Sequence, residues 1–391
     1  MLGGLLSLAM TATLVGAVSG GASASLRASG PSNISTSSFN NSFSVMSEFK
    51  SLAAAGHGKV AALLPDTVSS TRYVEFDEPD ITKALESAGV SSSNFVVQNA
   101  LGSDATQLTD AQTDISNGAT VLLVDPLDSG VGTQIESYAK SRGVRVIDYD
   151  RLTLGGSRAY YVSFNNVKVG QVMGQGLVSC VSAWHVSHPQ VVVMHGAVTD
   201  NNATLFAQGY DSVINPHFHS GWTAVAHPAG TWDPPPAETE FQAVYTAHRN
   251  TNAALIPNDE TGAPIITYLQ SLHVKPKTFP TTGQDASLTG LQNILSGYQC
   301  GTVYKPIYLE AQAAVALALY LRAGARPPAA LVNGKTKDTT ASINVPSVLL
   351  TPKWVTTSNI NSTVIKDNFV PASQLCAGQY AADCTAAGIT P

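Results

Sequence analysis

The feature that most limits what this chain can become is a rhythm that begins at Lys59. Short apolar runs, KVAALLP (59–65), NFVVQNA (94–100), TVLLVDP (120–126) and VRVIDYD (144–150), alternate with stretches of helical spacing, EPDITKALESAG (78–89), DATQLTDAQTDISNG (104–118) and SGVGTQIESYAKSRG (129–143). Apolar runs without polar alternation belong to strands covered on both faces, the situation created when helices cross over between parallel strands. The rhythm therefore predicts right-handed βαβ units, with Asp104 as the N-cap of the second helix. It resumes with AYYVSFN (159–165), a long helix over 166–184, QVVVMHG (190–196) and a helix from Asn201. TAVAHPA (223–229), AALIPND (253–259) and TFPTTGQD (278–285) read as further strands. A chain of 391 residues holds more such units than one open sheet of usual size, so two α/β domains are expected.

Composition supports a packed interior: hydrophobic residues are 44% and charged residues 12%. The net charge of −6, without any basic run, excludes nucleic acid as a partner, because that binding rests on clustered positive charge. Residues 1–24 read as a signal peptide, with an apolar run from Leu2 to Val18 and Ala22-Ser23-Ala24 as a cleavage site. Residues 25–56, rich in Ser and Asn, read as a flexible tether. The remaining long apolar stretch, IYLEAQAAVALALYL (307–321), is too short to span a bilayer and carries Glu310. Four cysteines in an exported chain suit two disulfides; Cys376 and Cys384 are the easier pair, and Cys180 with Cys300 is then the default second.

In open parallel sheets ligands gather beyond the carboxyl ends of the strands. Polar residues recur at that place here: Asp66, Asp150, Asn258 and Asp285. Helix capping explains such residues one at a time. It does not explain Arg72, Arg151, Trp232 and Lys305. Asp150, Asp200 and Asp285 are candidates for the paired carboxylates of a glycosidase, but no nucleophile elbow or P-loop accompanies them, and no enzyme activity is expected. GQVMGQG (170–176) lies within a helical pattern and suits close helix packing better than phosphate binding. The pairs His185/His188 and His217/His219 lack further ligands at metal spacing, so neither metal nor cofactor is expected. Acids that accept, bases that donate and amides that do both match a sugar, whose hydroxyls need both roles and whose C–H face can lie on an aromatic ring.

Several segments, LLPDTVSSTRY, DYDRL, YVSFNN, TDNNATLFAQG, NDETG, GQDASLTGLQNILSG and TVYKPI, together resemble the sugar-binding proteins of bacterial ABC importers, of the type I periplasmic-binding-protein fold and closest to its D-xylose-binding branch. The resemblance covers about Lys59 to Val370 and implies two doubly wound parallel-sheet lobes joined by a three-crossing hinge near SFNN, YKP and LLTP. The lobes it implies are 57–163 plus 308–348 and 166–304 plus 349–371, followed by a tail over 372–391 with a possible disulfide. It places Arg72, Tyr73, Asp150, Arg151, Asp200, Asn202, Trp232, Asn258, Asp285 and Lys305 around the ligand, with Tyr73 and Trp232 as aromatic walls. The implied function is extracytoplasmic capture of a monosaccharide by a monomer for delivery to an ABC permease. A sugar-sensing module for a receptor or kinase is the alternative. Xylose is the first expectation, with another aldopentose or glucose next. His195, Ala197, Val198, Glu260 and Asn165 depart from the family pattern, and His195 and Glu260 bear on which hydroxyls are accepted.

Overall fold

A computed structural model describes residues 30–390, so the expected signal peptide lies outside the described residues. The first lobe is built from α1 (Lys50–Ala55), β1 (Lys59–Leu64), α2 (Glu78–Ser87), β2 (Phe95–Asn99), α3 (Asp104–Ser116), β3 (Ala119–Val124), α4 (Ser129–Ser141), β4 (Arg145–Tyr149) and β5 (Tyr160–Phe164). The chain then crosses to a second lobe: α5 (Asn166–Ala183), β6 (Gln190–Val193), α6 (Asn201–Phe218), β7 (Thr223–Ala226), α7 (Pro234–Ala247), β8 (Ala253–Leu255), α8 (Asp259–Ser271), α9 (Leu288–Leu295) and β9 (Thr302–Tyr304). It returns for α10 (Ile307–Arg322), β10 (Gly334–Asp338) and β11 (Ile343–Leu350), and crosses once more to β12 (Lys353–Val355). The chain thus passes between the lobes three times, near the three places the resemblance implies.

The first sheet runs β10-β11-β5-β4-β3-β1-β2. Its pairs are parallel except for the hairpin β10/β11. Alternation along β1 shows why its strands are apolar throughout. Val60, Ala62 and Leu64 enter a core shared with α10, while Ala61 and Leu63 enter the core under α4. The second sheet orders β7-β6-β8 in parallel, and Val191 and Val193 divide from Val192 and Met194 in the same way. Beyond β8 the sheet continues only as isolated bridges, Ala254 with Thr281 and Gln284 with Val303, so TFPTTGQD is less regular than its reading as a strand. Ser103, not Asp104, caps α3, accepting from the Thr106 N–H at 3.2 Å.

The glycine-rich GQVMGQG does serve helix packing. A Cβ at Gly170 would run into the Phe206 carbonyl, and one at Gly209 into that of Val167, so the absence of side chains lets α5 and α6 touch backbone to backbone.

The tether reading of 25–56 is corrected by the structure for residues 30–56, while 25–29 lie outside the described residues. Ile34, Phe39, Phe43, Met46, Phe49 and Leu52 are buried in the first lobe's core, and the Tyr320 hydroxyl donates to the Pro31 carbonyl at 2.6 Å. The apolar residues recur at helical spacing beneath a Ser/Asn-rich surface, and burying them outweighs the composition. The C-terminal tail also packs inward: Leu375, Cys376, Cys384 and Ile389 join the second lobe's core. Cys180 is bonded to Cys300, and Cys376 to Cys384.

Candidate functional site

The loop after β1 is shaped by its own polar residues. Asp66 accepts from the backbone N–H groups of Val68 and Ser69 at 2.8 and 2.7 Å and from the Ser69 hydroxyl at 2.6 Å, which folds the loop over the strand end. A single π-helical turn, Tyr73–Asp77, follows. Its i→i+5 winding brings Asp77 back beside Arg72, whose Nε and Nη2 donate to the two Asp77 oxygens at 2.8 and 2.7 Å. Arg72 Nη2 also donates to Glu310 at 2.8 Å, and Nη1 to Asp150 at 2.7 Å. Four of the five guanidinium N–H groups are thus engaged. Arg72 therefore fixes Asp150 and has little left to offer a ligand itself.

Asp150 follows β4 with a left-handed backbone, φ 55°, and Asp285 follows the Gln284 bridge at φ 87°. Neither caps a helix; α9 is capped by Ser287. Backbone held in this region at two facing acids marks places where surrounding structure dictates side-chain direction. Burial alone would raise the Asp150 carboxyl, but Arg72, Lys305 and Arg151 outweigh it and hold the group below the ordinary range. Lys305 sits between the two acids, 3.0 Å from Asp285 and 3.8 Å from Asp150. Desolvation pulls its ammonium down, and those two carboxylates more than compensate, so it stays charged while buried.

Arg151 donates to the Tyr73 hydroxyl at 3.1 Å and lies 3.6 Å from Asp200 and 3.7 Å from Asp125. The Trp232 indole N–H donates to Asp200 at 3.0 Å. Its ring lies where a side chain on Gly196 would stand, with Phe206 edge-on at 6.3 Å. Asp200 and Asn258 also cap α6 and α8, accepting from the N–H groups of Asn202 and Thr261. Both residues thus cap a helix and line the cavity between the lobes at once. Asn202 closes the ring by donating to the Asp150 carbonyl at 3.0 Å.

All ten residues that the resemblance places around a ligand line one small cavity between the lobes. Ser69, Ser70, Phe206 and Gln284 line it too and were missed. The two serines share a loop with Arg72, which is the signal that would have found them. Glu310 was missed as the acid behind Arg72; a lone carboxylate in an otherwise apolar helix is itself a sign of a buried partner. Burial, opposed by Arg72 and reinforced by Asp150 and Asp77, pushes Glu310 up to about 8. Asp125, behind Arg151, has no hydrogen-bond partner on either oxygen, and burial beside Asp150 pushes it well up.

Among the described residues, no grouping of His, Cys, Asp or Glu is placed to hold a metal ion, and no helix is long and apolar enough to cross a membrane. The departure His195 bonds the Tyr210 hydroxyl behind the Trp232 loop and does not line the cavity.

Two α/β lobes joined by three crossings of the chain, with a polar cavity between them, define the architecture of a solute-binding protein. The chain belongs to the periplasmic-binding-protein family: the family model described as a periplasmic binding protein domain matches residues 61–326. It is 35% identical over 303 residues to the D-xylose-binding periplasmic protein of Escherichia coli (strain K12), covering 76% of this chain and 87% of that one. It is 28% identical to a multiple sugar-binding periplasmic receptor of Rhizobium radiobacter, over 82% of this chain and 93% of the relative. Among solved structures, a carbohydrate transporter solute-binding protein from Chloroflexus aurantiacus in complex with D-glucose superimposes with a TM-score of 0.71 at 25% identity, over 81% of this chain and 97% of that chain.

Proposed function

We infer that this protein captures a monosaccharide outside the cytoplasm between its two lobes and, as a monomer, presents it to the permease of an ABC importer. The observation that carries the reading is the cavity itself. Asp150, Asp200 and Asp285 face Arg151 and Lys305 across a space roofed by Trp232, each charge already partnered by protein groups. Such a lining is close to neutral and rich in both donors and acceptors, which suits an uncharged polyol and not an ion. Xylose is the first candidate on the likeness to D-xylose-binding proteins, followed by other aldopentoses and glucose.

Arg151, Asp285, Asn258 and Lys305 hold the hydroxyls in this reading, Trp232 and Tyr73 flank the ring, and Arg72 holds Asp150 in place. No bond of the ligand is broken. The test is isothermal titration against a panel of pentoses and hexoses, with the recovered sugar inspected by NMR. Saturable binding of one or a few aldoses, recovered unchanged, is expected. No heat with any monosaccharide at millimolar concentration would overturn the reading, and a converted sugar would move the protein among enzymes.

A further inference from the structure

The loop residues Ser69, Ser70 and Thr71 of the first lobe each reach the second lobe directly. The Asn258 side chain donates to the Ser69 carbonyl at 2.9 Å, and the Ser70 hydroxyl donates to Asp285 at 2.9 Å. Thr71 donates twice to one oxygen of Glu260, from its hydroxyl at 3.1 Å and its backbone N–H at 3.3 Å. The first two contacts belong to the cavity. The third does not, since neither Thr71 nor Glu260 lines it. Both line instead a separate groove at the seam between the lobes, with Glu75 from the first lobe and Glu238 from α7. Glu260 Oε2 is shielded from solvent there without any hydrogen-bond partner.

From this geometry we propose that the Thr71–Glu260 contact is a proton-gated latch: closing the lobes over the sugar traps Glu260 in its protonated form, so that sugar affinity is linked to pH by a group that never touches the sugar. The proposal rests on the sugar-binding reading above.

A carboxylate is satisfied by several donors, and Glu260 finds donors for one oxygen only. Every titratable group facing it is acidic: Asp259 on its own helix, Asp285 from the loop before α9, and Glu75 and Glu238 across the groove. Among the described residues, no lysine or arginine lines the groove, and Lys305, which pairs with Asp285, is also held by Asp150. Burial, followed by Asp285 and Asp259, pushes the Glu260 carboxyl up to about 8, against the pull of Thr71. In the open form the seam is wet and the group returns toward its ordinary range. The closed form therefore binds a proton that the open form releases. Below the open-form pKa both states are protonated and affinity is at its full value. Affinity then falls as pH rises, until both states are ionised above about 8.

Asp259, pushed up to about 7, does not share this role. Its partners Gln299, Thr302 and Ser287 all lie in its own lobe, so lobe motion leaves them in place.

The experiment titrates wild type, Glu260→Gln and Thr71→Val with D-xylose, and with any other aldose of the panel that wild type binds, from pH 5.5 to 8.5, and measures proton uptake in buffers of differing ionisation enthalpy. The expected result for wild type is an affinity that falls several-fold per pH unit between pH 6 and 8, never more than tenfold, with a fraction of one proton taken up. Glu260→Gln keeps a carbonyl for Thr71 to donate to, so it should bind at pH 8 at least as tightly as wild type, with its slope gone. Thr71→Val should bind several-fold more weakly at all pH values. A flat wild-type profile, or a slope that survives in Glu260→Gln, overturns the latch. Absence of binding at every pH in all three proteins would instead overturn the sugar-binding reading.

Discussion

Asp285→Asn isolates the electrostatic part of closure. The substitution keeps shape and, because asparagine tolerates positive φ as readily as aspartate, does not disturb a backbone held at φ 87°. What it removes is one buried charge shared by two partners, Ser70 Oγ at 2.9 Å and Lys305 Nζ at 3.0 Å. A hydrogen bond to a charged group contributes about 1.5–3 kcal/mol and a neutral one about 0.5–1.5, so the Ser70 bond weakens by about 1 kcal/mol or slightly more, and loss of the ion pair with Lys305 adds a comparable amount. Lys305 retains only Asp150, at 3.8 Å, to balance its buried ammonium. Ser70 belongs to the opposite lobe, and water hydrates Lys305 when the cleft opens. The cost therefore falls on the closed, ligand-bearing form. A total of about 1.5–3 kcal/mol corresponds to a Kd raised roughly ten- to a hundredfold. Titration calorimetry reads this directly, and thermal unfolding without sugar should move little. Asp285→Asn binding within twofold of wild type would refute the assignment of Asp285 to closure.

Arg72→Met leaves Asp77, Asp150 and Glu310 buried without their shared cation, and should lower stability by about 3–5 kcal/mol in urea denaturation. Phe49→Ala removes a fully buried ring packed edge-on against Tyr320 at 5.9 Å; a loss of about 3–5 kcal/mol is expected in thermal melts, whereas a free tether would leave the midpoint unchanged. Gly170→Ala forces α5 off α6 and should cost about 1–3 kcal/mol by circular dichroism, even though alanine is the better helix former.

The alternating strands and helices were legible because a strand buried on both faces can afford no polar side: KVAALL and TVLLV admit little else. Asp150 and Asp285 were legible because a polar residue just past such a strand sits where the sheet opens. Asp77 and Glu310 were not, since each serves the site through Arg72, and only packing brings positions 77 and 310 onto one guanidinium. The N-terminal segment misled because Ser and Asn dominate its composition, while Phe39, Phe43, Met46, Phe49 and Leu52 keep a helical interval that a count of residue types averages away. Irregularity around Thr281–Asp285 was hidden for a different reason. Its bridges depend on β8 and β9, partners distant in sequence.

The bond between Cys180 and Cys300 spans 120 residues, and Asp200, Asn202, Trp232, Asn258 and Asp285 all lie between its ends. One jaw of the clamp is thus a covalently closed ring, while the other jaw contains no sulfur bridge. Reductant acting on a bond that does not border the cavity should loosen one jaw and spare its counterpart. The thiol chemistry of the surroundings would then decide whether the protein can grip at all.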